Sequence, residues 1–284
     1  MDSRRRSELG QFLRSRRERI MPEHVGLPTG TRRRTPGLRR EEIAVLAGLS
    51  PTWYTYLEQG RDIKPSAQVL ESLSRVLQLT DDERRYLHLL ALGPTPQAAK
   101  MERRSTDTAV LQNIVDLFPD LEYPVYAGNV YGDVLAWNKA ATRWYTDFGA
   151  VPEENRNMLR WLLTAPEARD RLEDWAEDVR DVIGRFRIAS ATRPWDHRFV
   201  ELAAGLHRAS PTFRRWWKSQ DVHDHHTRVR RLRGADGARL AVNLVTLRMT
   251  DDLNSVILHV PVAPGTSAIA DQVENQLATT PTLR

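Results

Sequence analysis

Apolar positions along this chain follow two different rhythms. In the N-terminal third they recur at helical spacing. Leu9, Phe12, Leu13 and Ile20 share one face of a predicted helix over 6–20, with Arg on the other faces. A loop follows, punctuated by Pro22, Gly26, Pro28, Gly30, Pro36 and Gly37. A short helix is predicted over 39–47, with Ile43, Leu46 and Ala47 inward and Gly48 ending it. Ser50 caps the next helix, Pro51 takes its favoured first position, and the helix runs to about Gln59. Ser66 caps a fourth helix with Val69, Leu70, Leu73 and Leu77 as its stripe, and Thr80-Asp81-Asp82-Glu83 reads as a capping box opening a fifth through Leu92.

Beyond Gly93-Pro94-Thr95-Pro96 the rhythm changes. Two strands are predicted over 123–128 and 130–137, around Asn129, with Gly132-Asp133 as a turn signal. Helical patterns follow over 138–148, 155–164, 166–191, 195–208 and 211–219, then strands over 226–233, 238–249 and 253–261. Gly234-Ala235-Asp236-Gly237 and Thr250-Asp251-Asp252 supply the turns between these last strands. The tail after Gly265 is weakly amphipathic through Leu277. This organisation predicts two domains, over 1–93 and 107–270, joined by a linker over 94–106 and followed by a tail over 271–284.

Charge sharpens the picture. Only four of the 42 basic side chains are Lys, a bias that a GC-rich genome accounts for. Their placement says more: residues 1–40 hold twelve Arg against four acids, whereas residues 101–284 hold 24 basic and 25 acidic side chains. The positive field is concentrated where a polyanion would be met. The chain has no Cys, which excludes disulfides, thiolate nucleophiles and Cys-based metal sites. No apolar run reaches the ~18 residues of a membrane span, and no apolar segment follows the basic N-terminus, so a cytoplasmic protein without a membrane partner is expected.

Residues 42–60 carry the first motif. Two short helices meet at a tight turn: Ala44 is small where they cross, and Gly48 can take a positive φ. Leu49, Tyr54 and Leu57 are spaced to bury against the first of the pair. With its closing Leu57-Glu58-Gln59-Gly60, the segment resembles the Xre/Cro-like helix-turn-helix. The resemblance implies a double-stranded DNA operator, with Pro51, Thr52, Thr55 and Tyr56 on the groove-facing edge of the recognition helix. Thr52 and Tyr56 are the best candidates to read bases. Trp53 is a candidate wedge against the backbone, and Arg39, Arg40, Arg61 and Lys64 lie where phosphates pass. Arg32, Arg33 and Arg34, in a loop that simple Xre proteins lack, are candidates for a minor groove or a backbone clamp.

The second domain holds seven of the eight Trp residues. Its matching stretches are Asp133-Val134-Leu135-Ala136-Trp137-Asn138, Arg156-Asn157-Met158-Leu159-Arg160, Ser210-Pro211-x-Phe213-Arg214-x-Trp216, Asp221-Val222 and Pro264-Gly265. Together with the long first loop they resemble the MmyB-like regulators. One departure is Arg233-Gly234-Ala235-Asp236-Gly237, where that family's pattern would place a His-Pro pair. The resemblance implies a multidomain fold: an all-α Xre/Cro-like N-terminal domain plus an α+β PAS-like ligand-binding domain with an antiparallel sheet. It also implies a fatty-acid-like or other apolar small-molecule effector. The candidate ligand residues are Tyr126, Asn138, Trp144, Trp161, Phe186, Arg187, Phe213, Trp216 and His223: aromatics for an apolar wall and Arg187 for a carboxylate. A homodimer is the economical way for so small a module to bind DNA well. The alternative for this domain is a protein partner, as in an antitoxin.

Other chemistry is sparse. His223-Asp224-His225-His226 is the one cluster with metal-ligand character, but adjacent strand residues point to opposite faces, so a solvated turn is expected and no metal or cofactor is assigned. No Gly-x-Ser-x-Gly elbow, GxGxxG or Walker loop occurs, and a non-enzymatic protein is expected.

Overall fold

A computed structural model describes residues 3–28, 37–93, 106–117, 121–222, 229–249 and 253–262. The chain divides into two compact units, Met1–Lys100 with Arg180–His225, and Met101–Val179 with His226–Arg284. In chain order the first elements are α1 (Ser3–Arg19), a 3-10 turn (Pro22–Val25), α2 (Arg40–Leu46), α3 (Pro51–Glu58), α4 (Ala67–Val76) and α5 (Asp81–Leu92). Next come α6 (Thr108–Asp116), β1 (Val125–Asn129), β2 (Val134–Trp137), α7 (Lys139–Trp144), α8 (Met158–Thr164) and α9 (Ala168–Arg171). They are followed by α10 (Trp175–Thr192), α11 (His197–Ala209), α12 (Pro211–Lys218), β3 (Val229–Arg233), β4 (Arg239–Arg248) and β5 (Asn254–Pro261).

In the N-terminal unit the caps read from the sequence start their helices. The Ser50 hydroxyl accepts from the Trp53 amide (3.1 Å), and Thr80 and Glu83 cap each other reciprocally at the start of α5. Leu9, Phe12 and Leu13 of α1 bury against Tyr54 and Leu57 of α3 and against Tyr86 and Leu90 of α5. The helices approach closely at Gly10: a Cβ there would come within 2.3 Å of the Glu58 carbonyl oxygen. A second group of helices completes this unit. Ile188, Ala191 and Val222 join the same core, the Ser15 hydroxyl donates to the Ser219 carbonyl (3.0 Å), and Arg19 pairs with Asp221 (2.6 Å). Residues 180–222, remote in sequence, are thus held by α1, so the compact units do not follow a single cut within 94–106.

In the C-terminal unit five strands form one antiparallel sheet in the order β2-β1-β5-β4-β3. Its residues alternate between two faces. Val125, Ala127, Ala136, Val256 and Leu258 pack against Leu111, Ile114 and Val115 of α6. Tyr126, Arg230, Leu232 and His259 point to the other face, where all four are buried.

The predicted elements recur with shifted ends, and three differences have physical causes. The helical pattern over 166–191 divides into α9 and α10, because Leu172 bridges to Leu232 and the Glu173 amide donates to the Arg231 carbonyl (3.1 Å). The pattern over 138–148 stops at Trp144, after which Tyr145 turns its ring into the core. Helix α6, started by the Asp107 carboxylate accepting from the Ala109 amide (2.9 Å), was not anticipated.

Candidate DNA-reading helix and ligand-domain core

The recognition helix is aimed by its own C-terminal end. Glu58 closes α3, and its side chain is 1% exposed. Both carboxylate oxygens are taken by Arg17, through Nε (2.7 Å) and Nη2 (3.0 Å), and Oε1 also accepts from Arg40 Nε (2.8 Å). Arg17 further donates to the Leu38 carbonyl (2.7 Å), so α1, the entry to α2 and α3 share one buried joint. Burial works against the Glu58 charge, yet Arg17 and Arg40 hold its carboxyl below the usual carboxylate range. Gly48, at φ 70°, makes the turn that lets α2 and α3 cross.

This joint leaves the other side of α3 in solvent. Pro51, Thr52 and Tyr56 are exposed and Thr55 is half-buried. Thr52 and Tyr56 are one turn apart and share a face. Arg61 lies 6.0 Å from the Tyr56 ring centroid, and with Arg39 and Lys64 it is exposed. Trp53 is half-buried against the hydrophobic core. Arg40 is shared between solvent and Glu58, which gives it a positioning duty that sequence reasoning did not assign. Arg32, Arg33 and Arg34 lie outside the described residues.

The nine ligand candidates fall into both units. Phe186, Arg187, Phe213 and Trp216 belong to the N-terminal one. There Arg187 is fully buried: it donates to Gln220 Oε1 (3.0 Å) and to the Trp217 carbonyl, and its guanidinium lies 4.0 Å from the Trp217 ring centroid. Phe213 stacks on Trp217 at 5.2 Å, Phe186 lies 5.8 Å from the same ring, and Trp216 is flanked by Arg180 and Arg215. His223 and the histidine cluster lie outside the described residues.

Tyr126, Asn138, Trp144 and Trp161 belong to the C-terminal unit. Asn138 ties α7 to β1, accepting from the Ala141 (2.9 Å) and Val125 (3.0 Å) amides and donating to the Tyr123 carbonyl (2.9 Å). The Trp144 indole donates to the Glu122 carbonyl (3.2 Å). Tyr126 and Trp161 converge on Tyr145, at ring separations of 6.3 Å and 5.6 Å.

Around Tyr145 runs a buried polar chain that the sequence reading missed. His259 Nδ1 lies 2.8 Å from the Pro124 carbonyl, which can only accept, so Nδ1 carries the proton. Burial, with Arg230 nearby, lowers His259 to about 3, so the ring is neutral. Its bare Nε2 therefore accepts from the Tyr145 hydroxyl at 2.5 Å. Arg230 donates to Tyr145 and, through Nε, to Asp178 at 2.9 Å. Burial opposes the charge on Arg230, but Asp178, Tyr145 and Tyr126 together more than offset this and raise its pKa; burial raises that of Tyr145. Donors therefore run in one direction, from Arg230 through Tyr145 and His259 to a backbone carbonyl. The one sequence signal for this chain is a lone His in the apolar run of β5.

Among the described residues no helix is long and apolar enough to cross a membrane, and no three His, Asp or Glu side chains are grouped to hold a metal ion. No curated protein matches the chain. Two family models do: a helix-turn-helix domain over residues 8–87, and the MmyB-like transcription regulator ligand binding domain over residues 109–275. The joint at Glu58, the free face of α3 and the sheet with its buried polar chain all lie within those matches, and the chain belongs to the MmyB-like transcription regulators, DNA-binding proteins with a ligand-sensing domain.

Proposed function

We propose that this regulator reads a short operator with α3 and responds to an apolar carboxylic acid, fatty-acid-like in character. The observation that carries the effector half is the buried chain Asp178–Arg230–Tyr145–His259, set among Tyr126 and Trp161 inside the matched ligand-binding region. Apolar ligands are held by aromatic walls and oriented by a few placed polar groups. Arg230 and Tyr145 are the anchor for the acid group. Trp144 extends the wall and Asn138 holds its backbone.

On the DNA side, Thr52 and Tyr56 read base edges, with Pro51 and Thr55 completing the edge of the helix. Arg39, Arg61 and Lys64 neutralise phosphates, Arg40 does so while bracing Glu58, and Arg32, Arg33 and Arg34 clamp the backbone. Two copies bind as a homodimer on related half-sites, and effector binding changes the occupancy of those half-sites. Native mass spectrometry of the purified protein, followed by denaturing extraction, tests the effector. A stoichiometric acid on a dimer is expected, and its retention should be lost in Arg230→Met. A ligand-free mass together with a co-purifying protein would overturn the effector reading in favour of a protein partner and leave DNA binding untouched.

A further inference from the structure

The even charge of residues 101–284 hides a division. Nine of the 24 basic side chains but only four of the 25 acidic ones fall within 180–222, the stretch that folds with the recognition helix. Within it, residues 202–220 hold four basic side chains and no acid. Helix α12 sorts them by its own periodicity. Phe213 and Trp216 turn inward and are buried. Arg214, Arg215 and Lys218 are exposed and share a sector about 100° wide. Arg208, at the end of α11, is exposed as well.

Most of these charges are not spent inside the fold. Arg214 donates to the His207 (2.8 Å) and Arg208 (3.4 Å) carbonyls and so closes the end of α11. Arg208, Arg215 and Lys218 pair with no carboxylate among the described residues. Arg215 lies 5.6 Å from the Trp216 ring centroid, and Arg180, also exposed, lies 5.0 Å from it. One ring thus holds two guanidiniums at the surface. Arg214 and Lys218, one turn apart, repel each other, and a polyanion laid on the sector would relieve that repulsion.

We propose that this face of α12 is a second phosphate-binding surface, which grips the DNA backbone flanking the bases that α3 reads. Its position selects DNA as the polyanion. The end of α12 and the entry to α2 are tied to the same turns of α1. On one side Arg17 donates to Glu58 of α3 and to the Leu38 carbonyl (2.7 Å). On the other the Ser15 hydroxyl (3.0 Å) and Arg19 donate to the Ser219 carbonyl. Lys218 therefore stands across one helix from Arg39, the candidate phosphate contact that follows Leu38. A helix with its side chains is ~10–12 Å across, a fraction of the ~34 Å turn of a duplex, so one duplex can touch both. Such contacts carry no sequence information; they add affinity and salt dependence.

Three lysines supply a test on the unmodified protein, since Lys64, Lys139 and Lys218 are all exposed. Their acetylation is read by mass spectrometry with and without a random-sequence duplex of ~30 base pairs, about three turns. A random sequence serves because the phosphate contribution is independent of sequence. The bound duplex should shield Lys64 and Lys218 several-fold and leave Lys139, in the C-terminal unit, unchanged. A paired variant reads the same surface another way. Arg215→Gln with Lys218→Gln should make the slope of log affinity against log salt shallower by about two. Lys139→Gln with Arg169→Gln, the same loss of charge in the C-terminal unit, should leave it unchanged. Either an unchanged slope in the first variant, or Lys218 labelled as fast with duplex as without, overturns the proposal. It rests on duplex binding through α3: Lys64 shielded with Lys218 open sinks this proposal alone, whereas both open with duplex bound also sinks the seating on α3.

Discussion

Each unit buries an arginine–carboxylate pair, and the two pairs serve different ends. In the N-terminal unit Glu58 is saturated: Arg17 takes both oxygens and Arg40 shares one. The working surface, Thr52 and Tyr56, lies on the solvent side of the same helix. In the C-terminal unit Arg230 holds Asp178 but also leads on to Tyr145 and His259, among aromatic rings. A closed pair fixes a position. An open-ended chain of donors and acceptors in a low-dielectric interior can be re-partnered when a ligand acid enters, because every polar atom there must keep a partner.

The hardest way to break the comparison is to remove the closed joint. Glu58→Ala leaves Arg17, 6% exposed, with only the partly exposed Glu18 at 3.7 Å as a counter-charge. Loss of one partner of a buried pair costs about 3–5 kcal/mol, and urea unfolding of the full chain should show a loss of that size. Operator affinity should fall with it, because α3 loses its anchor to α1 and α2. A loss under ~1 kcal/mol would place the pair with surface salt bridges and end the distinction between the two regions.

Next in size is Gly10→Ala. The added Cβ meets backbone, the Glu58 carbonyl oxygen at 2.3 Å and its carbon at 3.0 Å, so the helices must part. Overpacking of this kind costs about 1–3 kcal/mol, against which the better helix propensity of Ala returns up to ~1 kcal/mol. Net destabilisation with a larger fall in operator affinity is expected, since the displaced element is α3 itself. Thermal unfolding and binding titrations on the same preparation check both halves.

The two regions also differed in how far they could be read from sequence. The helix-turn-helix was legible because its signals are local: Gly48 at the turn, Ser50 and Pro51 at the start of α3, and Leu49, Tyr54 and Leu57 at helical spacing. The late strands were legible for the same reason, since short turns separate them. What pairing across long sequence distance decides was not. Residues 180–222 join the N-terminal unit through Ser15, Arg16 and Arg19, whose carbonyl and carboxylate partners lie about two hundred positions away. Arg187 was singled out from its residue type; that Gln220 and the Trp217 carbonyl accept from its guanidinium is visible only in the fold. Arg230, Tyr145 and His259 come together only once the order of β1, β5, β4 and β3 is known.

A gentler probe leaves the joint intact and tests the surface it presents. Thr52→Ala should cost about 1–3 kcal/mol at one base pair and little elsewhere. Arg61→Ala should weaken all sequences alike and reduce the slope of affinity against salt by about one. Titrations on the operator and single-base variants at several salt concentrations separate the two. Identical behaviour of both variants would mean that Thr52 and Tyr56 do not form the reading edge.

A last probe, which alters no residue, sharpens the comparison by pH. His259, lowered to about 3 by burial and by Arg230, stays neutral in the folded chain while its unfolded counterpart protonates near 6.5. The folded state therefore binds fewer protons, and stability falls as pH drops below 6.5. The groups facing the ring are Tyr145, Tyr126 and Arg230, with Asp178 behind Arg230, and burial raises the Tyr145 pKa, away from that window. Glu58 has the same sign in a lower window: its folded pKa is depressed, so its contribution is intact above 4.5 and fades only as pH falls through the depressed value. Between pH 6.5 and 4.5 exchange should therefore quicken in peptides from β1 and β5 but not in those from α1 and α3. His259→Gln should flatten the first response, since Gln keeps a donor and an acceptor but does not titrate. Equal quickening in both units, or none in β5, would show that the neutral histidine is not what sets the open chain apart from the closed joint.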